Sequence, residues 1–225
     1  MTEWHHPAGT IGLIAGTVAR YADVYVDLWT LRRPEGTRFR HAASSNIVAN
    51  LNEVTNALHG DWLWVMGDDH AFGPDTLFKL LNRDVDIVVP LVLRREKPFA
   101  APVFHDNGNG IMPQELTGGR RGLVEVEACG NAGMLIRRKV LDAMTAPIWE
   151  GGQIRSDLLM EDIYFCRKAR HLGFRIWLDT EVGIGHLITA TLWPKWQPDG
   201  SLGAQVIVGG SRAVEGGVET HAMEV

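Results

Sequence analysis

Cysteine is scarce in this chain: Cys129 and Cys166 are the only two among 225 residues, and their spacing matches neither a zinc site nor a redox motif. That excludes a disulfide scaffold and a cysteine-built zinc site, and leaves two buried thiols in a reducing compartment as the expectation. An excess of positive charge is also lacking. With 22 Lys and Arg against 27 Asp and Glu, the net charge of −5 offers no general attraction to nucleic acid or to an anionic membrane surface. Arg32-Arg33, Arg94-Arg95-Glu96-Lys97, Arg120-Arg121 and Arg137-Arg138-Lys139 are local exceptions, and each reads as a solvated loop or helix end. No apolar run approaches membrane-spanning length, and Met1 to His6 lacks the basic-then-apolar order of a secretory signal. A cytoplasmic protein without a membrane partner is expected; His5-His6 reads as an incidental terminal pair. Finally, no linker, charge block or internal repeat divides the chain. One domain is therefore expected, with a core from about residue 10 to 190 and a C-terminal extension from about 191 to 225.

What is present, 45% hydrophobic and 22% charged residues, suits an ordinary globular core. Apolar segments alternate with helical patterns, the signature of an α/β fold with a mostly parallel central sheet flanked by helices. Thr10 to Ala15 reads as the first strand. Helices are expected over Tyr21 to Leu31 and Ser44 to Leu58, where Ile47, Leu51, Val54 and Leu58 recur at helical spacing. Trp62 to Met66 is the central strand, Pro74 to Leu81 a short helix, and Val85 to Leu93 another strand. Asn107 to Gly122 reads as loop and Val124 to Cys129 as one strand, followed by Lys139 to Met144 as helix. Ser156 to Leu172 contains a strong helix stopped at Gly173, and Phe174 to Leu178 is a strand. The Gly-rich remainder predicts one or two peripheral strands and a loose end.

The most informative stretch is Asp61-Trp62-Leu63-Trp64-Val65-Met66-Gly67-Asp68-Asp69-His70, an apolar run that ends in two carboxylates and an imidazole. Ligands of open α/β sheets gather at the carboxyl ends of buried strands. Carboxylate oxygens there suit Mg²⁺ or Mn²⁺, and an added imidazole shifts the preference toward Mn²⁺. The bland alternative is an exposed turn.

Two further constellations stand downstream. Glu161-Asp162 opens a helix whose dipole and free amides would lower carboxyl pKa values, a purely structural role; the functional counterpart is a general base at a pocket rim. His186 follows Val182-Gly183-Ile184-Gly185, where glycines let backbone and ligand approach closely. A lone histidine is more often packed than ligating, but with the Asp-Asp-His turn it would complete a mixed carboxylate and imidazole site.

The ordered set resembles the GT-A fold (nucleotide-diphospho-sugar transferase) glycosyltransferases, especially family-2-like members. It runs Asp68-Asp69-His70, Gly130-Asn131-Ala132-Gly133 ahead of Met134 to Arg138, Glu161-Asp162 with Phe165 to Ala169 and Leu172 to Ile176, then His186, and it spans about Ile11 to His186. In such enzymes the acidic motif holds a divalent cation that bridges the diphosphate of a nucleotide-sugar donor. The resemblance implies that Asp69 or His70 binds metal, with Asp68 on metal, ribose or donor sugar, and that His186 completes the site. Many relatives carry three consecutive acids, and Gly67 stands in the first of those places. An alternative alignment with the Asp-any-His variant pairs Asp68 with His70.

The same resemblance makes Asp162, with Glu161 beside it, the base that deprotonates the acceptor in inverting members; in retaining ones a similarly placed acid orients acceptor or sugar. Gly130, Asn131, Ala132 and Gly133 correspond to a loop bordering donor sugar and acceptor, with Asn131 as a sugar contact. Ala15, Gly16 and Thr17 match the strand exit that cradles the nucleobase. Asn46 falls near an Arg-Asn pair of the family, with Ser45 in the Arg place. Arg94, Arg95 and Lys97 are either phosphate contacts or a solvated loop.

The implied function is sugar transfer from a nucleoside-diphosphate sugar to a hydroxyl acceptor, with Mn²⁺ or Mg²⁺. The acceptor is open among glycan, protein, lipid-linked and small-molecule hydroxyls and, as in phage enzymes of this kind, hydroxymethylated DNA bases met by a Trp-rich, basic-patched surface. The alternatives are a nucleotidyltransferase, for which Gly12 to Arg20 makes a poor phosphate loop, and a non-catalytic nucleotide- or sugar-binding module.

Overall fold

An unbroken apolar strand has no solvent face, and Thr10 to Ala15 is buried at every position. In the computed structural model the described residues are 6–16, 21–95, 99–106, 111–116, 121–154, 157–188, 190–208 and 222–223. The chain begins β1 (Thr10–Ala15), α1 (Ala22–Thr30), β2 (Arg38–Ala43), α2 (Ile47–Asn56) and β3 (Trp62–Gly67). It continues β4 (His70–Ala71), α3 (Thr76–Leu81), β5 (Ile87–Leu91), β6 (Val103–Asp106), β7 (Ile111–Pro113), β8 (Leu123–Val126), β9 (Ala128–Cys129), β10 (Leu135–Arg137) and α4 (Arg138–Asp142). The last part is β11 (Gly152–Ile154), β12 (Asp157–Leu159), α5 (Glu161–His171), β13 (Ile176–Gly183), β14 (Gly185–Leu187), β15 (Ala190–Trp196), β16 (Leu202–Val208) and β17 (Ala222–Met223).

A seven-stranded sheet in the order β2-β1-β3-β10-β5-β13-β8 forms the centre. β10 and β8 run antiparallel to their neighbours, and the other five strands are parallel. One face packs Leu51 and Val54 of α2 and Ile163, Phe165 and Ala169 of α5 against Ile14, Leu63 and Val89. The other packs Val24 and Leu28 of α1 and Leu77 and Leu81 of α3 against Ile11, Leu13, Trp62 and Trp64. Helices thus cover both faces, as a buried parallel sheet requires. Contact between α2 and β1 depends on Gly12, where a Cβ would lie 3.0 Å from Val54.

Much of the tryptophan is core rather than the acceptor-facing surface expected from composition. Trp62, Trp64 and Trp149 are fully buried. Each indole N–H is satisfied, by Pro7 O, Gly133 O and Thr55 Oγ1 respectively. Removing about 200 Å² of such a ring from water is worth up to roughly 5 kcal/mol, far more than an exposed stacking platform returns before a ligand arrives.

Several boundaries differ from the sequence reading. Val124 to Cys129 is two strands in different sheets, since β8 joins the seven-stranded sheet while β9 joins β6 and β7. Residues 111–113, expected as loop, form β7. The helix expected within Ser156 to Leu172 starts only at Glu161, after β12. The Gly-rich C-terminal part is not peripheral: β15, β16 and β17 extend a five-stranded sheet, β17-β16-β15-β14-β4, that begins on the acidic turn itself. Among the described residues no helix is long and apolar enough to cross a membrane, and the two cysteines are free and buried, as expected.

Candidate functional site

The strand order reverses at β1, which sends its successors β2 and β3 to opposite sides, and crevices form at the carboxyl ends on such a boundary. Ile14 pairs with Gly67 there, and the Asp68 N–H donates to Ile14 O at 3.1 Å. The chain then leaves the large sheet. His70 and Ala71 pair with His186 and Gly185 of β14, and the Leu187 N–H donates to Asp69 O at 2.7 Å. Backbone pairing, not side-chain attraction, therefore brings the early acidic turn to the late histidine.

Asp69, His70 and His186 each offer a ligand atom within 4.8 Å of the other two. His70 Nδ1 lies 3.0 Å from Asp69 Oδ1 and His186 Nε2 3.5 Å from Asp69 Oδ2. The close His70 contact is not aligned as a hydrogen bond, and among the described residues both nitrogens of this buried ring are without a hydrogen-bond partner. His186 Nδ1 lies 2.9 Å from Leu93 O. A carbonyl only accepts, so Nδ1 donates to Leu93 O, and Nε2 is left facing the Asp69 carboxylate. Burial pushes the Asp69 carboxyl up, but the two imidazoles against its oxygens, His186 and His70, outweigh it and hold the group well below the carboxylate range.

Of the two ways to align the motif, the geometry gathers Asp69 with His70 and leaves Asp68 out of the cluster. Asp68 is buried, and its Oδ2 has no hydrogen-bond partner among the described residues. Gly67 is explained by space: a Cβ there would lie 2.8 Å from Asp69 Oδ1 and 3.0 Å from His70 Nδ1. Arg95, expected in a solvated loop or on phosphate, pairs with Asp69 Oδ2 at 3.2 Å. Lys97 lies outside the described residues.

Gly130, Asn131, Ala132 and Gly133 form a turn entering β10 from the same edge, closed by the Met134 N–H on Asn131 O at 3.1 Å. Gly133 has φ +68, a Cβ there would stand 2.7 Å from Pro90, and its carbonyl accepts from Trp64 Nε1. Glycine is therefore required on backbone grounds alone. Ala132 packs against the core, while Asn131 keeps a buried Nδ2 without a partner among the described residues. At the other end of the turn, a Cβ on Gly130 would lie 3.7 Å from Asp162 Oδ2, so Asp162 faces it directly.

Both Glu161 and Asp162 lie in the first turn of α5, as expected. The expected lowering of their pKa does not hold for Asp162. Burial, and then the negative charge of Glu161, push its carboxyl from 3.8 up to about 6, against the Ile163 N–H at 2.7 Å and the Arg94 charge. Two or more amides at a helix start are too little to offset desolvation here. Asp162 is thus a carboxylate that titrates about one unit below neutral pH.

At the first strand, Ala15 is buried and its carbonyl accepts from Asn50 Nδ2 at 3.0 Å; Gly16 is half-buried, and Thr17 lies outside the described residues. Asn46 is the N-cap of α2, its Oδ1 accepting from the Ala49 N–H at 3.0 Å. Sequence reasoning missed Asn50, Leu93 and the Arg95 pairing. A polar residue inside a helical apolar pattern is a weak signal for Asn50; nothing local marks the other two.

No family model matches the chain, and no curated protein matches it. Among solved structures it is similar to the crystal structure of A197 from STIV, with a TM-score of 0.53 and 14% identity, covering 94% of this chain and 98% of that one. At that identity the likeness speaks for a shared α/β fold over nearly the whole of both chains and not for a shared activity.

Proposed function

We propose that the chain is a metal-dependent glycosyltransferase of the GT-A kind, moving a sugar from a nucleoside-diphosphate sugar to a hydroxyl acceptor. One observation carries the reading: the Asp69, His70 and His186 cluster just past the carboxyl end of β3, at the reversal of strand order. Its donors suit a divalent ion, with an ionised carboxylate, a ring nitrogen presented by His186 and a buried His70 ring lacking hydrogen-bond partners among the described residues. A divalent cation held there would stabilise the charge that a diphosphate gathers as the glycosidic bond breaks.

The remaining roles fall to residues at the same edge. Asp162, pushed up to about 6, is ionised yet still basic at neutral pH and takes the acceptor's proton. Gly130 leaves room beside it. Buried Asp68 Oδ2 and Asn131 Nδ2, an acceptor and a donor without partners among the described residues, suit the hydroxyls of ribose or sugar.

The test is to incubate the protein with UDP-, GDP-, ADP- and dTDP-sugars and Mn²⁺ and to measure release of nucleoside diphosphate. Release that disappears in Asp69→Ala and Asp162→Asn supports the reading. Donor binding by calorimetry with no hydrolysis or transfer to DNA, glycan or small-molecule acceptors would make the chain a binding module instead.

A further inference from the structure

The Asp69 carboxylate already carries a cation of the protein's own. Arg95 Nη1 lies 3.2 Å from Oδ2, the oxygen that His186 Nε2 approaches to 3.5 Å. The guanidinium therefore occupies the side of the cluster where two of the three ligand atoms meet. It is held there by position in the chain, since Leu93, two residues earlier, fixes His186 through its carbonyl, and the Arg94 N–H donates to Ala100 O at 3.0 Å.

Only one member of this pair is free to leave. Asp69 is pinned by its backbone to Leu187 and contacts a nitrogen of each imidazole, with 13% of its side chain exposed; the Arg95 side chain is 42% exposed. A pair that open to solvent contributes no more than about a fivefold shift in an equilibrium, so Arg95 swings out at little cost. A divalent ion that takes this oxygen repels the guanidinium and weakens its hold there. Phosphate oxygens match its planar fork and are the natural next partner.

We propose that Arg95 is the resident counter-ion of Asp69 and, once displaced by a divalent ion, a ligand for the donor's diphosphate. Ion and diphosphate then bind as a coupled pair, each tightening the other. The inference rests on the reading of the cluster as the metal site of a nucleotide-sugar enzyme.

The experiment is a titration of the full chain with Mn²⁺, followed by the electron paramagnetic resonance of the free ion, alone and with UDP, GDP, ADP or dTDP as the diphosphate probe. Arg95→Ala is expected to bind Mn²⁺ alone about fivefold tighter than the parent chain, and the diphosphate in the presence of Mn²⁺ about tenfold weaker. Arg95→Lys, which keeps the charge, is expected to stay within about twofold of the parent for Mn²⁺ alone. The opposite signs matter, because a merely damaged site would weaken both. Mn²⁺ affinity that does not rise in Arg95→Ala, or diphosphate affinity that does not fall, overturns the inference and leaves the metal reading intact. A parent chain that binds no Mn²⁺ under either condition overturns both.

Discussion

His186 stands directly across the β4–β14 pairing from His70, and the two imidazoles stack with centroids 4.7 Å apart and planes 22° from parallel. Backbone hydrogen bonds hold each ring, so removing one leaves the other in position. His186→Ala and His70→Ala are each expected to lose at least about 10–100-fold in Mn²⁺ affinity, the cost already seen when mere supporting groups of metal sites are removed. Two imidazoles also predict a preference for Mn²⁺ over Mg²⁺. Calorimetric titration of both ions into each variant is the check, with circular dichroism to establish that the fold persists. Unchanged Mn²⁺ affinity in both variants would remove the cluster as a metal site.

Asp162 makes a prediction with two readouts. Its carboxyl, raised from 3.8 to about 6, binds more protons in the folded than in the unfolded chain between those values. Stability contributed by this group therefore falls as pH rises from about 4 to about 6 and stays lower above that, a cost on the order of 3 kcal/mol. Asp162→Asn is expected to be more stable than the parent at pH 8 by that order, with the difference vanishing near pH 4, as urea denaturation would measure. The same variant should lose about 10²–10⁴-fold in transfer rate while donor affinity persists. Transfer by the parent should rise with pH through about 6. An Asn variant that is less stable at pH 8, or as active as the parent, would return Asp162 to a structural role.

Two asparagines at the start of α2, its N-cap Asn46 and Asn50 one turn in, separate a cap from a tether. Asn46 caps the helix from an exposed position, and Asn46→Ala is expected to cost about 1 kcal/mol of stability while leaving nucleoside-diphosphate affinity unchanged. Asn50 is buried, donates to Ala15 O and Ser44 O, and accepts from Ser44 Oγ at 2.7 Å. Asn50→Ala leaves those groups without partners and should cost more, about 1–3 kcal/mol. Denaturant unfolding of both variants ranks them. A loss of diphosphate binding in Asn46→Ala would return that residue to the nucleotide pocket.

What could be read from the sequence follows from how local its physics is. β3 was legible because a strand buried on both faces must be continuously apolar, and its abrupt end in carboxylates marked the edge where ligands bind. Asp162 was legible in place but not in the direction of its pKa. Helix position is a local property, whereas burial against Gly130 is set by the packing of α5 on distant strands. β4 was invisible because two residues carry no periodicity, yet its pairing with β14 is what joins His70 to His186. The Arg95 pairing is likewise tertiary: a basic residue after a strand looks like any solvated loop until its neighbour across the fold is known.

Gly67 supplies the last prediction, and it runs against the resemblance. Enzymes of the GT-A kind often carry a third acid at this place, so Gly67→Asp would, by likeness alone, add a ligand. A Cβ here falls 2.8 Å from Asp69 Oδ1 and 3.0 Å from His70 Nδ1, closer than side chains tolerate. The Asp69 carboxylate has little room to yield, because His70 and His186 flank it and its backbone is tied to Leu187. Gly67→Ala is therefore expected to lose about 1–3 kcal/mol of stability through overpacking. Gly67→Asp should do the same and, by pushing Asp69 out of line, weaken Mn²⁺ about tenfold despite its added negative charge. Thermal unfolding and Mn²⁺ titration measured together decide the matter: a Gly67→Asp chain that binds Mn²⁺ more tightly than the parent would mean that position 67 belongs among the ligands and that the turn relaxes to admit it.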